Sequence, residues 1–349
     1  MLPYWLLFTL IAFGAAIQGP PAGRQKSSSL FLVYAGVLIA LMIGFRYHVG
    51  GDWWTYQRYF QFAKFATLGQ LLRLDDPGYQ FLNWLAQRLG GGVWIVNLIC
   101  GFLFSWGLVR FARTQPYPWL CLVLAVPYLV IVVAMGYSRQ GLAIGILMAG
   151  LASFQRHGSI LRYTFYVATA ALFHRTAIIG LPFVLLGGQR NLLSNMLFVI
   201  AGTALLYDIF LSNSIDHFID AYMNTRYSSQ GAAIRVTMSV IPAAIFFLYR
   251  RRLGFSVTEA AIWRNFSFAA IAVLAGLFLT SSSTVVDRLA LYILPLQLAV
   301  LPRIPGTLVS VRLGKLLIIA YALAIQFVWL NYAAFSPLWI PYRLNPFSD

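Results

Sequence analysis

Apolar runs of roughly 15–22 residues recur from one end of the chain to the other, separated by short polar connections, and runs of that length read as bilayer-crossing helices. The pattern predicts twelve such segments, over 2–18, 30–45, 92–109, 118–135, 139–155, 160–174, 176–188, 193–210, 233–249, 265–284, 288–302 and 314–332. They show neither the alternation of strands nor the sustained heptads of a coiled coil. The expected fold is an all-α polytopic integral membrane protein of about 12 transmembrane helices, within a range of about 10–14, forming one domain over 1–349. The first segment has the length of a signal peptide but lacks a basic n-region, so it is read as a retained helix. Two less apolar stretches stand apart: 46–91, with interfacial or re-entrant helices, and 211–232, an external loop and candidate lid.

Composition supports this reading. Among 349 residues 60% are hydrophobic and 10% charged, with mean hydropathy +0.76, which excludes a water-soluble globule. The net charge is +16. If the first loop is cytoplasmic, the alternate loops hold more than half of the 25 Lys and Arg, among them Arg110, Arg113, Arg156, Arg303, Lys315 and the run Arg250-Arg251-Arg252. Of the nine acids only Glu259 falls there, so the positive-inside bias puts both termini outside. It also accounts for most of the basic charge, with no nucleic-acid partner implied. No phosphate loop, HExxH or GxSxG is present, and neither metal nor cofactor is expected. Cys100 and Cys121 read as small buried hydrophobes.

Charges lodged against the outer helix ends are costly and therefore informative. The longest group runs Arg46-Tyr47-His48-Val49-Gly50-Gly51-Asp52-Trp53-Trp54-Thr55-Tyr56, where Asp52 is placed to cap a helix and shares a face with Tyr56. Asp75-Asp76-Pro77-Gly78-Tyr79 opens an amphipathic helix. Ser138-Arg139-Gln140 begins an apolar run, so that a guanidinium beside unpaired helix N–H groups makes an anion site, with phosphate its natural ligand. His174-Arg175 interrupts another run, His174 being either a proton carrier or a hydrogen-bonded helix end. Asp287-Arg288 precedes Tyr292 by one turn, and Arg288 is either neutralised by Asp287 or part of the anion site. In the loop from Asp208 to Gly231, Asp216 and Asp220 are too few for a metal site, and the Pro-rich tail Phe335–Arg343 is expected along the outer interface.

Taken in order, Arg46-x3-Gly50-Gly51-Asp52-x3-Tyr56, Asp76-Pro77-Gly78-Tyr79, Ser138-Arg139-Gln140-Gly141-Leu142-Ala143, Phe173-His174-Arg175-Thr176-Ala177 and Arg288-x3-Tyr292 resemble the EpsG group of Wzy-type polysaccharide polymerases. The ordered set, spread over 45–292, carries the resemblance. The family often has Gly-Thr-Asp where this chain has Gly50-Gly51-Asp52, and often Glu in place of Asp76, which argues against a catalytic role for Asp76.

The resemblance implies a GT-C-like polymerase bundle in the bacterial inner membrane with a periplasm-facing cavity. It would move a growing glycan from undecaprenyl diphosphate to the non-reducing end of a second lipid-linked repeat unit. A chain-length-regulating co-polymerase is a candidate partner. Within that chemistry Arg139 and Arg288, then Arg46, are expected to hold the diphosphate. Asp52 is first choice and His174 second for taking the acceptor proton. Gln140, Arg175, Tyr56, Tyr79, Tyr292 and Trp53 complete the expected sugar and phosphate contacts. An O-antigen ligase-like enzyme and a transporter of lipid-linked oligosaccharides are the alternatives.

Overall fold

The computed structural model describes residues 1–19, 29–185, 231–279 and 283–344. The chain begins with α1 (Leu2–Ile17) and α2 (Ser29–Gly44), and β1 (Arg46–Tyr47) follows. Three short helices come next: α3 (Trp53–Phe65), α4 (Leu68–Leu71) and α5 (Pro77–Arg88). Then come α6 (Val93–Ala112), α7 (Pro118–Ala125) with a π-helical continuation over Val126–Ala134, α8 (Ser138–His157), α9 (Ile160–Phe173) and α10 (Gly180–Leu185). The second half contains α11 (Ala232–Tyr249), α12 (Val257–Leu279), α13 (Ser283–Ala290), α14 (Pro295–Val300) and α15 (Val311–Tyr332), and β2 (Arg343–Leu344) closes it.

Eleven of the twelve expected segments fall on helix where they are described; the segment over 193–210 and the expected loop over 211–230 with its acids lie outside the described residues, and the last two positions of that loop, Gly231 and Ala232, already cap and begin α11. Among the described residues five stretches can cross a membrane by length and composition: Val93–Ala112, Ala232–Tyr249, Val257–Leu279, Val286–Thr307 and Val311–Tyr332. Hydropathy places the start of α12 too late. Ser256 and Glu259 form a reciprocal capping box, the Ser256 amide on Glu259 Oε2 at 2.9 Å and the Glu259 amide on Ser256 Oγ at 3.3 Å, which starts the helix among polar residues. The run over 288–302 is interrupted rather than one continuous helix, because Pro295 and Pro302 each remove a backbone donor.

The bundle centre is α8, buried along nearly its whole length, with α6 and α9 against it and α2 against α6. Gly107 of α6 lies so close to the Gly145 carbonyl of α8 that a Cβ on Gly107 would collide with it, which is how small residues let two membrane helices approach. The helices α3 and α5 pack on each other beside α6 and α9. At 12 residues, roughly 18 Å, α5 is too short to span a bilayer.

Both ends of the described chain lie at one end of the bundle. The β2 strand pairs antiparallel with β1, Arg46 opposite Leu344 and Tyr47 opposite Arg343. The Tyr4 hydroxyl donates to the Trp339 carbonyl at 2.8 Å, and Trp339 Nε1 donates to the Ile131 carbonyl of the π-helix at 2.7 Å. The tail expected along the interface is therefore folded back into the bundle.

Candidate functional site

Three consecutive residues at the start of α8 gather segments that are distant in sequence. Arg46, just past α2, donates from Nη2 to Ser138 Oγ at 2.5 Å and to Asn97 Oδ1 of α6 at 3.0 Å. Arg139 donates from Nη1 to Asp76 Oδ2 at 2.7 Å. The Gln140 amide donates to the Arg288 carbonyl at 2.8 Å. One turn of helix thus ties the loop after α2, the start of α5 and the end of α13 to a single point.

Asp76 is the hub. It takes a left-handed conformation, φ 57° and ψ 58°, at the head of α5, and its side chain caps nothing there. Instead its carboxylate receives Arg139, faces His174 Nδ1 at 3.5 Å and accepts the Arg175 amide at 3.1 Å. Burial alone would raise its pKa, but the His174 hydrogen bond, the His174 and Arg139 charges and the Arg175 amide together hold the carboxyl below its ordinary value. Beside it Asp75 pairs with Arg175 at 2.9 Å. The sequence suggested only that Asp76 was a weak catalytic candidate; its part as an anchor depends on contacts nearly a hundred residues away.

Exposure divides the expected site residues into two groups. Asp52, Arg139, His174, Arg175 and Arg288 are partly exposed. Arg46, Trp53, Tyr56, Tyr79, Gln140 and Tyr292 are buried. The second group lies beneath the surface in this structure. Arg46 is 0% exposed, and its guanidinium bonds to Ile43, Asn97 and Ser138, which braces the turn. Trp53 lies against Tyr47 and His48, while Trp54 is the exposed member of the pair. The Tyr56 and Tyr79 rings sit 5.5 Å apart, and the Tyr292 hydroxyl shares a hydrogen bond with Thr176 Oγ1 at 2.9 Å.

Asp52 occupies the N-cap of α3, yet its side chain makes no capping bond. The turn before it is fixed elsewhere: Gly50 has φ +107° and its amide donates to the Leu338 carbonyl at 2.9 Å. A Cβ on Gly50 would stand 2.5 Å from the Met135 carbonyl oxygen. The glycine thus lets the Asp52 turn lie directly against the end of the π-helix, beside Tyr137. Tyr56 marks the convergence electrostatically. Burial raises its pKa most and Asp52 raises it further, while Arg139, Arg46 and Arg288 all pull it down.

Arg288 lies over the Tyr137 ring at 4.1 Å, and Arg139 over Tyr59 at 5.1 Å. Arg235 of α11, which the sequence reading did not single out, grips Asp287 through both Nε and Nη2. The sequence left Arg288 either neutralised by Asp287 or part of the anion site; in the structure the Asp287 carboxylate takes a two-point contact from Arg235, and Arg288 stacks on Tyr137. Asn97 was also missed, and nothing in its local sequence distinguishes it from an ordinary core residue; Tyr59, Tyr137 and Ser138 stood inside the charged stretches without a role of their own. No group of three or more potential metal ligands occurs among the described residues.

In this helical bundle arginines and carboxylates gather at one end, where the central helix begins. The chain belongs to the EpsG family, whose model matches residues 29–344, nearly all of it, and this is a Wzy-like polysaccharide polymerase family. No curated relative and no solved structure matches it.

Proposed function

We propose that the protein transfers a growing glycan from undecaprenyl diphosphate to the non-reducing sugar of a second lipid-linked repeat unit, at the extracytoplasmic face of the inner membrane. Family membership supports a glycosyltransferase-type polymerase acting on lipid-linked oligosaccharide. The observation that carries the finer reading is the meeting of the Arg46, Asp76 and Arg288 segments on Ser138-Arg139-Gln140.

The acceptor hydroxyl attacks the anomeric carbon of the donor glycan, a new C–O bond forms, and the bond to the diphosphate oxygen breaks with its electron pair. Arg139 and Arg288 stabilise the charge that develops on the departing diphosphate. Asp52, uncommitted to a helix cap, takes the acceptor proton; His174, in contact with Asp76, is the second candidate. Aromatic and apolar helix surfaces accept the polyprenyl chain. The outward orientation rests on the excess of Lys and Arg in the loops at the other end.

The test is incubation of the purified full-length protein with one lipid-linked repeat unit and no added metal. A ladder of products supports the polymerase. A single transfer to a different acceptor supports the ligase alternative, and transbilayer movement with no new glycosidic bond supports the transporter; either result overturns this proposal.

A further inference from the structure

A second basic site lies far from the first. Along α6, Asn97 bonds to Arg46 at the candidate site, and Arg110 stands thirteen residues farther on, roughly 20 Å along the axis. Along α8 the same distance and more separates Arg139 from Arg156. At this far end α2, α6 and α8 enclose a groove of about 380 Å³, within the roughly 300–1,000 Å³ range of small-molecule sites. Its walls are apolar, chiefly Val33, Val37, Phe102 and Val109, and Arg110, Arg113 and Arg156 stand at its mouth with no Asp or Glu in the lining.

Two buried polar atoms of the lining residues make no hydrogen bond among the described residues. Ser105 is 2% exposed and its Oγ has no hydrogen-bond partner, and neither has Arg110 Nε, although the Arg110 guanidinium rests 5.4 Å from the Trp106 ring. The charge of the lining, three arginines and no acid around an apolar groove, points to an anionic occupant with an apolar part. An anionic headgroup matches the charge, and an acyl chain matches the apolar walls. Zwitterionic lipid offers no net charge to three arginines.

We propose that this groove binds the phosphate of an anionic phospholipid from the leaflet opposite the candidate site, with part of an acyl chain along Val33, Val37 and Phe102. The lipid joins α2 to α6 and to the end of α8, the helix whose other end carries Ser138-Arg139-Gln140. The proposal does not depend on the chemistry performed there.

The test is native mass spectrometry of the purified full-length protein released from detergent in the presence of phosphatidylglycerol or phosphatidylcholine with the same acyl chains. Phosphatidylglycerol is expected to be retained and phosphatidylcholine not. At roughly fivefold per arginine, Arg110→Gln/Arg113→Gln/Arg156→Gln should weaken retention on the order of 100-fold. Arg156 is exposed, so Arg156→Glu alone leaves the fold intact and should still lower retention several-fold. Equal retention of the two lipids, retention unchanged in both variants, or displacement of bound lipid by inorganic phosphate alone would each overturn the proposal.

Discussion

Arg46 donates to Ser138 Oγ at 2.5 Å, and through that bond the loop after α2 is fixed to the first turn of α8, one residue before Arg139. Arg46 makes no ion pair with an acid among the described residues; its partners are a carbonyl, an amide oxygen and a hydroxyl. A buried cation held only by neutral acceptors is worth keeping where it positions something, and here it orients the turn on which Asp76 and Arg288 also converge.

Arg46→Lys is therefore expected to lower thermal stability and polymer yield together, because an ammonium cannot reproduce the planar fork that sets Nη1 on the Ile43 carbonyl and Nη2 on Asn97 and Ser138. Ser138→Ala should produce a smaller loss of about 1.5–3 kcal/mol, that of one hydrogen bond to a charged group. Thermal unfolding in detergent beside a product-ladder assay checks this. A fall in yield with stability untouched would make Arg46 a ligand contact instead.

The Asp76 carboxylate titrates below its ordinary value, so its contribution to stability is fully present above about pH 4 and is lost as the pH falls through the lower folded value. Asp76→Asn should remove that dependence, destabilise the protein at neutral pH by about 3–5 kcal/mol by leaving Arg139 without its counter-charge, and lower activity. Asp76→Glu keeps the charge and should restore part of both. Unfolding midpoints of the three proteins between pH 3 and pH 7, on a scale set by the carboxylate range, provide the measurement.

Much of the fold could be read from the chain because bilayer thickness fixes helix length, and hydropathy reports it directly. What failed did so where local chemistry outweighed hydropathy: the Ser256–Glu259 box that starts α12 early, and the prolines that break the run carrying Arg288. At the candidate site, residue types were legible and depth was not. Arg139 and Arg46 look alike as charges beside apolar runs, yet one reaches the surface and the other has no exposure. Pairing was equally hidden, since Asp287 meets Arg235 across two helices while its sequence neighbour Arg288 faces Tyr137.

Gly50 offers a test of the turn itself. At φ +107° a side chain is strained, and a Cβ would press on the Met135 carbonyl, so Gly50→Ala should cost more than about 1 kcal/mol and displace the Asp52 turn from Tyr137. Gly51 faces open space at ordinary contact distance, with Trp339 3.8 Å away, and Gly51→Ala should be nearly neutral. Parallel unfolding midpoints and product yields for the two variants decide it; equal effects would mean that the strained backbone is not what holds Asp52 in place.

Arg288 and Asp52 should separate by the step they affect. Arg288 rests on Tyr137 and holds Gln140 only through its carbonyl, so Arg288→Ala preserves that backbone bond and should fold, while losing the charge that steadies the departing diphosphate. A single such contact is commonly worth about 10²–10³ in turnover. Arg288→Lys should recover little, because the planar stacking on Tyr137 is lost with the guanidinium. Asp52→Asn, which leaves shape and capping unchanged, should abolish turnover and keep lipid-linked substrate bound. Binding measured by retention of labelled lipid-linked repeat unit, beside initial rates of chain growth, distinguishes these effects. Undiminished turnover in Asp52→Asn would transfer the base to His174, and wild-type polymer length in both Arg288 variants would remove Arg288 from the anion site.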